Sequence, residues 1–498
     1  MTAPARVLAI DQGTTSTRAI LFDERARPLV TAQTRLPQSY PHSGWVEHDP
    51  ERIFEDTVDV CREALERAGA GPEELAAIGI TNQRETTVLW ERATGRPVHP
   101  AIVWQDRRTA SLCETLREQG AEALVRERTG LLLDPYFSGT KLAWLLEHVD
   151  GAREAAGRGE LAFGTVDSWL AYRLTGGRHH VTDPSNASRT LLYNVRTREW
   201  DPELLAYFYI PRGVLPRVIP TAQDELTTDA DVFGAEVPLA AMIGDQQAAL
   251  FGQACVHPGM SKITYGTGAF LLTNTGAEPA FSESGLLTSV AWHLAGALPE
   301  QVQYTTEGAI FIAGAAIQWL RDELGLLDDA ARSEAMARAV EDTDGVFLVP
   351  AFVGLGAPYW NSEARGALVG LTRGTNRNHI VRAAIEAMAY QTADLLEATH
   401  HDWGGEITAL HVDGGAAAND FLCQFQADLL GLPVNRPQIL ETTAAGAAYL
   451  AGLATGFWDG LDAVTALRRT ERTFTPQQDD AWRAERMAAW RQAVRRVL

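Results

Sequence analysis

The chain has 498 residues, of which 46% are hydrophobic and 21% charged, and its formal net charge at pH 7 is −21. This length exceeds what one hydrophobic core supports, so we expect two large domains. The acidic balance argues against a protein that binds nucleic acid, because such binding depends on Lys and Arg at the phosphates, but it is compatible with a nucleotide pocket that needs only a few local donors.

The cysteines and the hydropathy pattern predict a cytoplasmic protein without stable membrane insertion. The four cysteines lie far apart and form no CxxC pair, so neither a zinc site nor a disulfide framework is predicted. No apolar run reaches the ~18 residues of a membrane-spanning helix. The N-terminal sequence also lacks a signal-peptide pattern.

Strand-like and helix-like segments alternate along the chain, which is typical of an α/β fold. Ser138 is predicted to cap the helix that follows it. In the first part of the chain the predicted strands are Arg6–Ile10, Arg18–Phe22, Ala77–Thr81, Thr86–Trp90 and Ala101–Trp104, and the predicted helices are Glu51–Ala68, Thr109–Gln119 and Thr140–Val149.

The segment Asp11–Arg18 (DQGTTSTR) joins the first two predicted strands and has the composition of a phosphate-binding turn. Gly13 lets the backbone approach an anion without a Cβ in the way, and Arg18 can supply a charge-assisted fork to phosphate oxygens. Hydroxyl groups add donors to the backbone N–H groups of such a turn. These hydroxyls belong to Thr14, Thr15 and Ser16. The alternative is an ordinary Gly-Thr hairpin.

Asp11 enters this turn from the first strand and is a candidate for holding Mg²⁺ through water, since Mg²⁺ in proteins usually keeps several waters. The alternative is a turn-forming aspartate that bonds its own backbone. We favour the metal because Asp11 shares the turn with Arg18.

The segment Ile78–Trp90 (IGITNQRETTVLW) contains two β-type runs interrupted by Arg84 and Glu85. Such a pair can hold vicinal hydroxyls, because Arg donates hydrogen bonds and Glu accepts them. The alternative is a solvated turn pair, which is the commoner fate of adjacent charges. From the residues alone, the solvated turn is the favoured interpretation.

The strand-like segment Leu239–Ile243 is followed by Gly244, Asp245 and a predicted helix, Gln246–Cys255. Asp245 is therefore expected at the C-terminal edge of a sheet, where ligands bind in α/β proteins. A carboxylate there can accept a hydroxyl proton as that oxygen attacks a γ-phosphate, and an ordinary Asp pKa suffices, helped by the helix N-terminus. The alternative is a simple helix cap, which is favoured if the hairpins are ignored.

After a break at Val256–Gly259, the segment Ser261–Asn274 repeats the order strand, Gly-Thr turn, strand, with YGTG in place of DQGT. One such turn in each half indicates a structural duplication. We therefore expect the phosphate tail of a nucleotide to lie in a cleft between two domains, residues 1–254 and 255–498.

The segment Val412–Asp420 (VDGGAAAND) leads from a predicted strand into a predicted helix. Its glycines permit close packing of a flat adenine ring against the backbone, and Asn419 can cap the helix. The alternative is a simple strand-to-helix connection with a good cap.

Together, the motifs DQGTTSTR, TNQRETT, YFSGTK, GDQQAALFGQ, TYGTGAF and VDGGAAAND resemble the FGGY family of carbohydrate kinases. The stretches GWVEHD, AGAAIQWL and AFVGLGAPYWNSEARGALVGLTRG are similar to the members that phosphorylate glycerol. The resemblance covers about Val7 to Trp458. It implies an actin-like ATPase fold, with two ribonuclease-H-like domains around a central cleft, and transfer of phosphate from ATP to glycerol with Mg²⁺.

The resemblance also implies roles for individual residues. Asp245 would be the general base, and Asp11 would lie beside Mg²⁺. Trp104 and Phe270 would pack against the carbon chain of glycerol. The residues implied to hold the glycerol hydroxyls are Arg84, Glu85, Tyr136, Asp245 and Gln246. Those implied to bind the nucleotide are Thr14, Thr15, Ser16, Arg18, Thr267, Gly314, Gln318, Gly415 and Asn419. The expected partners are glycerol, ATP and a second copy of the chain in a homo-oligomer.

Two alternatives and one departure accompany this hypothesis. The alternatives are a kinase for another small polyol or sugar of the same family, and an actin-like or chaperone ATPase that hydrolyses ATP without an acceptor. The departure concerns regulation: some bacterial members carry an Arg that binds fructose 1,6-bisphosphate, or a phosphorylated His. In this chain the matching region, Asp229–Pro238, has Glu236 and Asp231 in their places.

Overall fold

The computed structural model describes residues 6–296 and 298–498 and contains two large mixed β-sheets, one in each half of the chain. The strands of the first half are β1 (Arg6–Gln12), β2 (Ser16–Phe22), β3 (Pro28–Arg35), β4 (Glu47–His48), β5 (Leu75–Asn82), β6 (Val88–Glu91), β7 (Ala101–Ile102), β8 (Leu161–Gly164), β9 (Val181–Thr182), β10 (Tyr193–Asn194), β11 (Glu199–Trp200), β12 (Arg217–Val218) and β13 (Leu239–Gly244). The helices of this half are α1 (Pro50–Ala68), α2 (Ala110–Glu118), α3 (Ala121–Thr129), α4 (Ser138–His148), α5 (Ala152–Gly157), α6 (Val166–Leu174), α7 (Pro184–Ala187), α8 (Pro202–Tyr207), α9 (Ala230–Phe233) and α10 (Asp245–Gly252).

The second half has the same alternation of strands and helices. Its strands are β14 (Met260–Tyr265), β15 (Ala269–Gly276), β16 (Leu287–Leu294), β17 (Gln301–Ile310), β18 (Phe347–Val349), β19 (Ala367–Val369), β20 (Ala409–Gly414), β21 (Val434–Pro437) and β22 (Thr470–Phe474). Its helices are α11 (Gly314–Asp322), α12 (Ser333–Arg338), α13 (Arg377–Trp403), α14 (Asp420–Leu430), α15 (Thr442–Ala454), α16 (Gly460–Leu467) and α17 (Asp480–Val494).

The first sheet has the strand order β13-β5-β1-β2-β3. β1 pairs antiparallel with β2, which places Asp11 opposite Arg18, and it pairs parallel with β5, which in turn pairs parallel with β13. Three parallel strands therefore end at the same edge of the sheet. The turn after β1, the loop with Arg84 and the residue Asp245 follow these three ends.

The second sheet has the order β16-β17-β15-β14-β20-β21-β22. Its hairpin, β14 with β15, is antiparallel, and β14 pairs parallel with β20. The first sheet combines β1, β2 and β5 in the same way. The predicted duplication of the strand-turn-strand hairpin is thus confirmed, and the structure adds a parallel neighbour to each copy.

Helix α15 of the second half packs against the first half through residues without bulky side chains. A Cβ at Gly446 would collide with the carbonyl oxygen of Ala248 on α10, and a Cβ at Gly79 on β5 would collide with that of Ala447. The small residues of α15 around Gly446 therefore allow this helix to pack closely against α10 and β5. It fixes α10, and with it Asp245, against both halves of the chain.

Most of the predicted elements are confirmed, with differences at their ends. The predicted cap at Ser138 is wrong: this residue is the first of α4, its side chain caps nothing, and its hydroxyl instead donates to the carbonyl oxygen of Glu85 at 3.0 Å. Helix α10 begins at Asp245 and ends at Gly252, earlier than predicted. Within the described ranges, no helix is both long and apolar enough to cross a membrane.

Candidate active site

The short helix α7 joins the ends of β5 and β13, where the candidate site begins. The hydroxyl of Ser185 accepts a hydrogen bond from the backbone N–H of Gly244 at 2.8 Å. The side-chain amides of Asn186 and Asn82 bond each other at 2.9 and 3.1 Å. Asp183, which is fully buried, caps α7. This buried network fixes the two strand ends relative to each other.

The turn after β1 presents its hydroxyl groups at the surface of the cleft. The N–H of Gly13 donates to the carbonyl oxygen of Ser16 at 2.9 Å and closes the turn. The side-chain amide of Gln83 donates to the carbonyl oxygen of Gly13 at 3.2 Å and holds the turn from the β5 side. Thr15 is exposed, and Thr14 and Ser16 are half-buried. The turn is therefore held in place by hydrogen bonds and remains accessible, as a phosphate-binding site requires.

Asp11 and Arg18 form an ion pair across the β1–β2 hairpin, with 3.0 Å between Oδ2 and Nη2. Burial raises the pKa of Asp11, and the charge of Arg18 opposes this shift. In the described part of the chain, no three or more His, Cys, Asp or Glu side chains form a metal-binding group. A single carboxylate beside a phosphate-binding turn nevertheless fits Mg²⁺, which commonly binds through one or two carboxylates, waters and substrate phosphates.

Arg84 and Glu85 belong to a buried cluster of four charges, so the predicted solvated turn is wrong. Arg84 donates to Glu307 of β17 through Nη1 and Nη2, at 2.6 and 3.1 Å. Arg189 donates to Glu85 at 2.6 Å and to Glu307 at 3.1 Å. All four residues are at least 97% buried. The local pattern could not reveal this, because the partners of Arg84 and Glu85 are distant in the sequence.

The two arginines affect the two carboxyl groups of this cluster differently, and at Glu85 burial raises the pKa in spite of Arg189 and Arg84. Burial raises the pKa of Glu307, but Arg189 and Arg84 outweigh it and hold that pKa at about 2. Glu85 has a φ of 61°, which is rare for a residue other than glycine. Strained backbone of this kind is concentrated at active sites.

Asp245 lies at the open edge of the charged cluster. Its Oδ1 is 3.3 Å from Nε of Arg84, and 31% of its side chain is exposed. The N-cap position of α10 belongs to Gly244, so the simple helix cap is wrong for Asp245, whose Oδ1 accepts from the N–H of Gln246 at 2.7 Å. Burial raises its pKa against the opposing effects of Arg84 and Lys262.

Aromatic side chains stand beside the phosphate turn. The indole N–H of Trp104 donates to the hydroxyl of Thr14 at 2.9 Å, and the rings of Trp104 and Tyr136 meet edge to face with 5.5 Å between centroids. The ammonium of Lys141 donates to the carbonyl oxygens of Pro135, Tyr136 and Phe137 at 2.6, 2.6 and 3.2 Å. Lys141 thereby fixes the loop that carries Tyr136.

The residue after Asp245 contacts the second sheet. Lys262 of β14 donates to Oε1 of Gln246 at 2.6 Å and to the hydroxyl of Thr264 at 3.0 Å. Thr264 pairs directly with Phe270 of β15, and directly paired residues project from the same face of a sheet. Phe270 therefore lies on the face of β14–β15 that meets Gln246.

The second Gly-Thr turn contacts the start of α11. Backbone N–H groups of Ala313 and Ala315 donate to the carbonyl oxygen of Thr267 at 2.9 and 3.1 Å, and that of Gly314 donates to Gly266 at 3.1 Å. The space left by Gly314 is required, because a Cβ there would lie 2.6 Å from the Gly266 oxygen. Thr267 and Gln318, one turn further along α11, are both exposed.

The glycine pair after β20 has two different roles. Gly414 has a φ of 82°, and a Cβ there would collide with the carbonyl oxygen of Tyr265 on β14. No atom lies within 4 Å of a Cβ placed on Gly415, so this position leaves room for a ligand. Asn419 caps α14 by accepting from the N–H of Leu422 at 3.0 Å, as predicted.

Three residues of the site escape prediction from the sequence: Glu307, Arg189 and Lys262. Glu307 and Lys262 are charged residues within β-type runs, TTEGAI and SKITY. A buried charge on a strand is the signal that was available, because Lys and Glu are almost never fully buried unless paired. The identity of their partners depends on the tertiary fold.

Comparison with known proteins gives a family over most of the chain. The model of the FGGY family of carbohydrate kinases, N-terminal domain, matches residues 6–252, and that of its C-terminal domain matches residues 261–455. Among curated proteins, a glycerol kinase of Halorhodospira halophila is 58% identical over 493 residues, covering 99% of this chain and 96% of its own. A glycerol kinase of Caldanaerobacter subterraneus subsp. tengcongensis is 54% identical over 492 residues, covering 99% and 98%.

The solved structures agree with this assignment. The crystal structure of Plasmodium falciparum glycerol kinase with ADP matches with a TM-score of 0.95 and 34% identity, covering 99% of this chain and 98% of that one. A ligand-bound xylulose kinase from Lactobacillus acidophilus matches with a TM-score of 0.86 at 20% identity, covering 98% of this chain and 96% of that one. The latter likeness concerns the fold alone.

Proposed function

The chain belongs to the FGGY family of carbohydrate kinases, and we propose that it transfers the γ-phosphoryl group of ATP to glycerol, giving ADP and sn-glycerol 3-phosphate. The observation that carries this proposal is the meeting of Asp245, Arg84 and the Gly13 turn at three adjacent strand ends. In this arrangement Asp245 supplies a base, Arg84 an acceptor-binding group and the Gly13 turn a phosphate-binding site, all in one cleft. Relatives more than 50% identical over 99% of the chain are glycerol kinases, which favours glycerol over the larger sugars.

The acceptor site is formed by polar groups beside an aromatic wall. We assign the glycerol hydroxyls to Arg84, Glu85, Tyr136, Asp245 and Gln246, and the walls around the carbon chain to Trp104 and Phe270. A buried ion-pair network holds these donors and acceptors in fixed positions. A molecule that leaves one of them unpaired binds more weakly, because an unpaired buried polar group costs free energy. The rigid cluster of Arg84, Glu85, Arg189 and Glu307 supports such selectivity.

Asp245 is assigned as the general base. Its exposed carboxylate accepts the proton of the attacking glycerol hydroxyl, and the hydroxyl oxygen forms the new bond to the γ-phosphorus as the bond to ADP breaks. A loose phosphoryl-transfer transition state requires positioning above all. The 3.3 Å contact between Asp245 and Arg84 supports this role, because it holds the base against the acceptor-binding arginine.

The nucleotide is assigned to both halves of the chain. Thr14, Thr15, Ser16 and Arg18 approach its phosphates from the first half and Thr267 from the second, while Gly314, Gln318, Gly415 and Asn419 line its base and sugar. Asp11 would hold Mg²⁺, most simply through water. When bound, this cation neutralises charge on the β- and γ-phosphate oxygens.

Three further properties are part of the proposal. The domains are residues 1–254 and 255–498, which the two family matches and the two sheets support. The enzyme acts in the cytoplasm, which its scattered, buried thiols support. It forms a homo-oligomer, for which the molar mass in solution is the test.

An acceptor panel tests the proposed function. ADP release is measured with glycerol, dihydroxyacetone, xylulose, gluconate and no acceptor, and the glycerol product is identified with a dehydrogenase specific for sn-glycerol 3-phosphate. We expect the highest kcat/KM for glycerol and only slow ADP release without acceptor. A preference for xylulose or gluconate contradicts the proposal, and so does rapid ATP hydrolysis that needs no acceptor.

A further inference from the structure

Lysine is nearly absent from this chain, and its two lysines are both fully buried. Of the 43 Lys and Arg residues, only Lys141 and Lys262 are lysine, and both side chains have a relative exposure of 0%. Arg and Lys are not interchangeable, because guanidinium is large, planar and forked whereas ammonium is a compact charge with three donors. In a chain that otherwise uses arginine, the two lysines mark positions where a compact ammonium is needed.

Lys141 shows what a structural buried lysine is like here. Its three N–H donors are matched by three backbone carbonyl oxygens, those of Pro135, Tyr136 and Phe137. The hydrogen-bonding capacity of an ammonium group is thereby complete. Lys141 therefore fixes a loop.

Lys262 has a different set of partners. Among the described residues, its hydrogen-bond acceptors are Oε1 of Gln246 and the hydroxyl of Thr264. Burial lowers its pKa to about 8, and the charges of Asp413 and Asp245 oppose that shift. Thr264 belongs to the same strand as Lys262, whereas Gln246 belongs to the proposed acceptor site.

The contact with Lys262 fixes which end of the Gln246 amide faces the cleft. An ammonium group donates and cannot accept, so only the oxygen of the amide can face it at 2.6 Å. The –NH₂ end must then face away from Lys262. In the described part of the chain, this –NH₂ group has no protein acceptor within hydrogen-bond distance, and Gln246 is partly exposed.

We propose, on the basis of the proposed function, that Lys262 is a positioning residue that makes Gln246 a hydrogen-bond donor to the acceptor hydroxyl. Asp245 and Gln246 then form a matched pair, because a hydroxyl group both donates and accepts. The hydroxyl of glycerol donates its proton to Asp245 and accepts from the –NH₂ group of Gln246. Without Lys262 the amide is free to rotate and present its oxygen, which repels the hydroxyl lone pairs.

The test is Lys262→Met, which keeps an unbranched side chain of similar size and removes the ammonium group. We expect kcat/KM for glycerol to fall about 30- to 100-fold, as for loss of a charge-assisted hydrogen bond, with KM for ATP unchanged. The double variant with Gln246→Leu separates positioning from general structural support. If Lys262 acts through Gln246, the double variant is no worse than Gln246→Leu alone.

Two further variants complete the design. Thr273→Val removes a buried hydrogen bond to Ser261 in the same hairpin, 2.8 Å long, and because successive residues of a strand face opposite sides it leaves the Lys262 face untouched. We expect it to lower the Tm but not kcat/KM. Thr264→Val, which loosens Lys262 but retains its charge, is the second test if Lys262→Met does not fold, with an expected loss of about five- to tenfold.

Additive losses for Lys262→Met and Gln246→Leu overturn the proposal, as does a folded Lys262→Met with unchanged kcat/KM. If only Thr264→Val can be measured, an unchanged kcat/KM overturns it. Failure of the proposed function is distinguishable from this result. If the wild-type enzyme prefers another acceptor, glycerol phosphorylation is refuted, and the same variants are compared with that preferred acceptor.

Discussion

Arg84, in the first half of the chain, is bonded through both terminal nitrogens to Glu307, in the second half, at 2.6 and 3.1 Å. The two residues are 223 positions apart in the sequence. The arginine proposed to hold glycerol is therefore oriented by a strand of the other sheet. Contacts from both halves therefore orient this side chain, since Nη1 of Arg84 also donates to Oε1 of Gln247 in the first half at 3.1 Å.

Replacement of Glu307 by Gln should impair both stability and catalysis. The substitution removes the negative charge that balances Arg84 and Arg189 in a buried site. Breaking a buried ion pair by removing one partner costs about 3–5 kcal/mol of stability. We expect a lower Tm and a fall of about 100-fold in kcat/KM for glycerol, as Arg84 loses its orientation. The control is Glu160→Gln, because the ion pair of Glu160 with Arg158 is exposed on both sides. Equal effects of the two variants contradict this account.

The contribution of Glu307 to stability should depend on pH in a defined window. Its pKa is about 2 in the folded protein against 4.5 ordinarily. A carboxyl group with a lowered folded-state pKa stabilises the fold above its unfolded pKa, and this contribution is lost as the pH falls towards the folded value. The difference in urea midpoint between wild type and Glu307→Gln should be constant from pH 7 to about 5 and shrink between about 4.5 and 2. A difference that grows on acidification refutes the assigned charge state.

Replacement of Arg84 by Ala should affect the acceptor more than the nucleotide. The guanidinium lies 3.3 Å from Asp245 and is proposed to donate to the glycerol hydroxyls. We expect the apparent KM for glycerol to rise about 100-fold, while KM for ATP changes by less than about threefold. Steady-state kinetics with each substrate varied in turn provide the measurement. An unchanged KM for glycerol would remove Arg84 from the acceptor site.

The crossing of α10 and α15 should not tolerate a side chain at Gly446. A Cβ there collides with a backbone carbonyl oxygen, which cannot move away as a flexible side chain could. We expect Gly446→Ala to destabilise the protein by about 1–3 kcal/mol or more and to lower kcat, because α10 begins with Asp245. Gly157→Ala is the control, since no atom lies within 4 Å of its added Cβ. Equal Tm values for both variants contradict the close crossing.

The local patterns predicted the two hairpins, the strand before Asp245 and the cap at Asn419, since each depends on residues adjacent in the chain. The burial of Arg84 and Glu85 could not be predicted in this way. The partners of these residues, Glu307 and Arg189, come from other elements. Without them, an isolated Arg-Glu pair is indistinguishable from a solvated turn.

The error at Ser138 has a similar cause. A serine before a helical pattern usually bonds the backbone of its own helix, but here its hydroxyl donates to the carbonyl oxygen of Glu85. Glu85 is 53 positions away in the sequence, so this partner comes from the tertiary fold. Tertiary contacts at the candidate site therefore override the local preference.

The most direct test of the account is the rate of glycerol phosphorylation by Asp245→Asn. Asn is nearly isosteric with Asp but cannot accept the hydroxyl proton, so the site should keep its shape and lose its base. We expect kcat to fall about 10³-fold with KM for ATP within about twofold of wild type, which is the range for loss of a general base. A folded Asp245→Asn enzyme with wild-type kcat for glycerol would contradict the central claim.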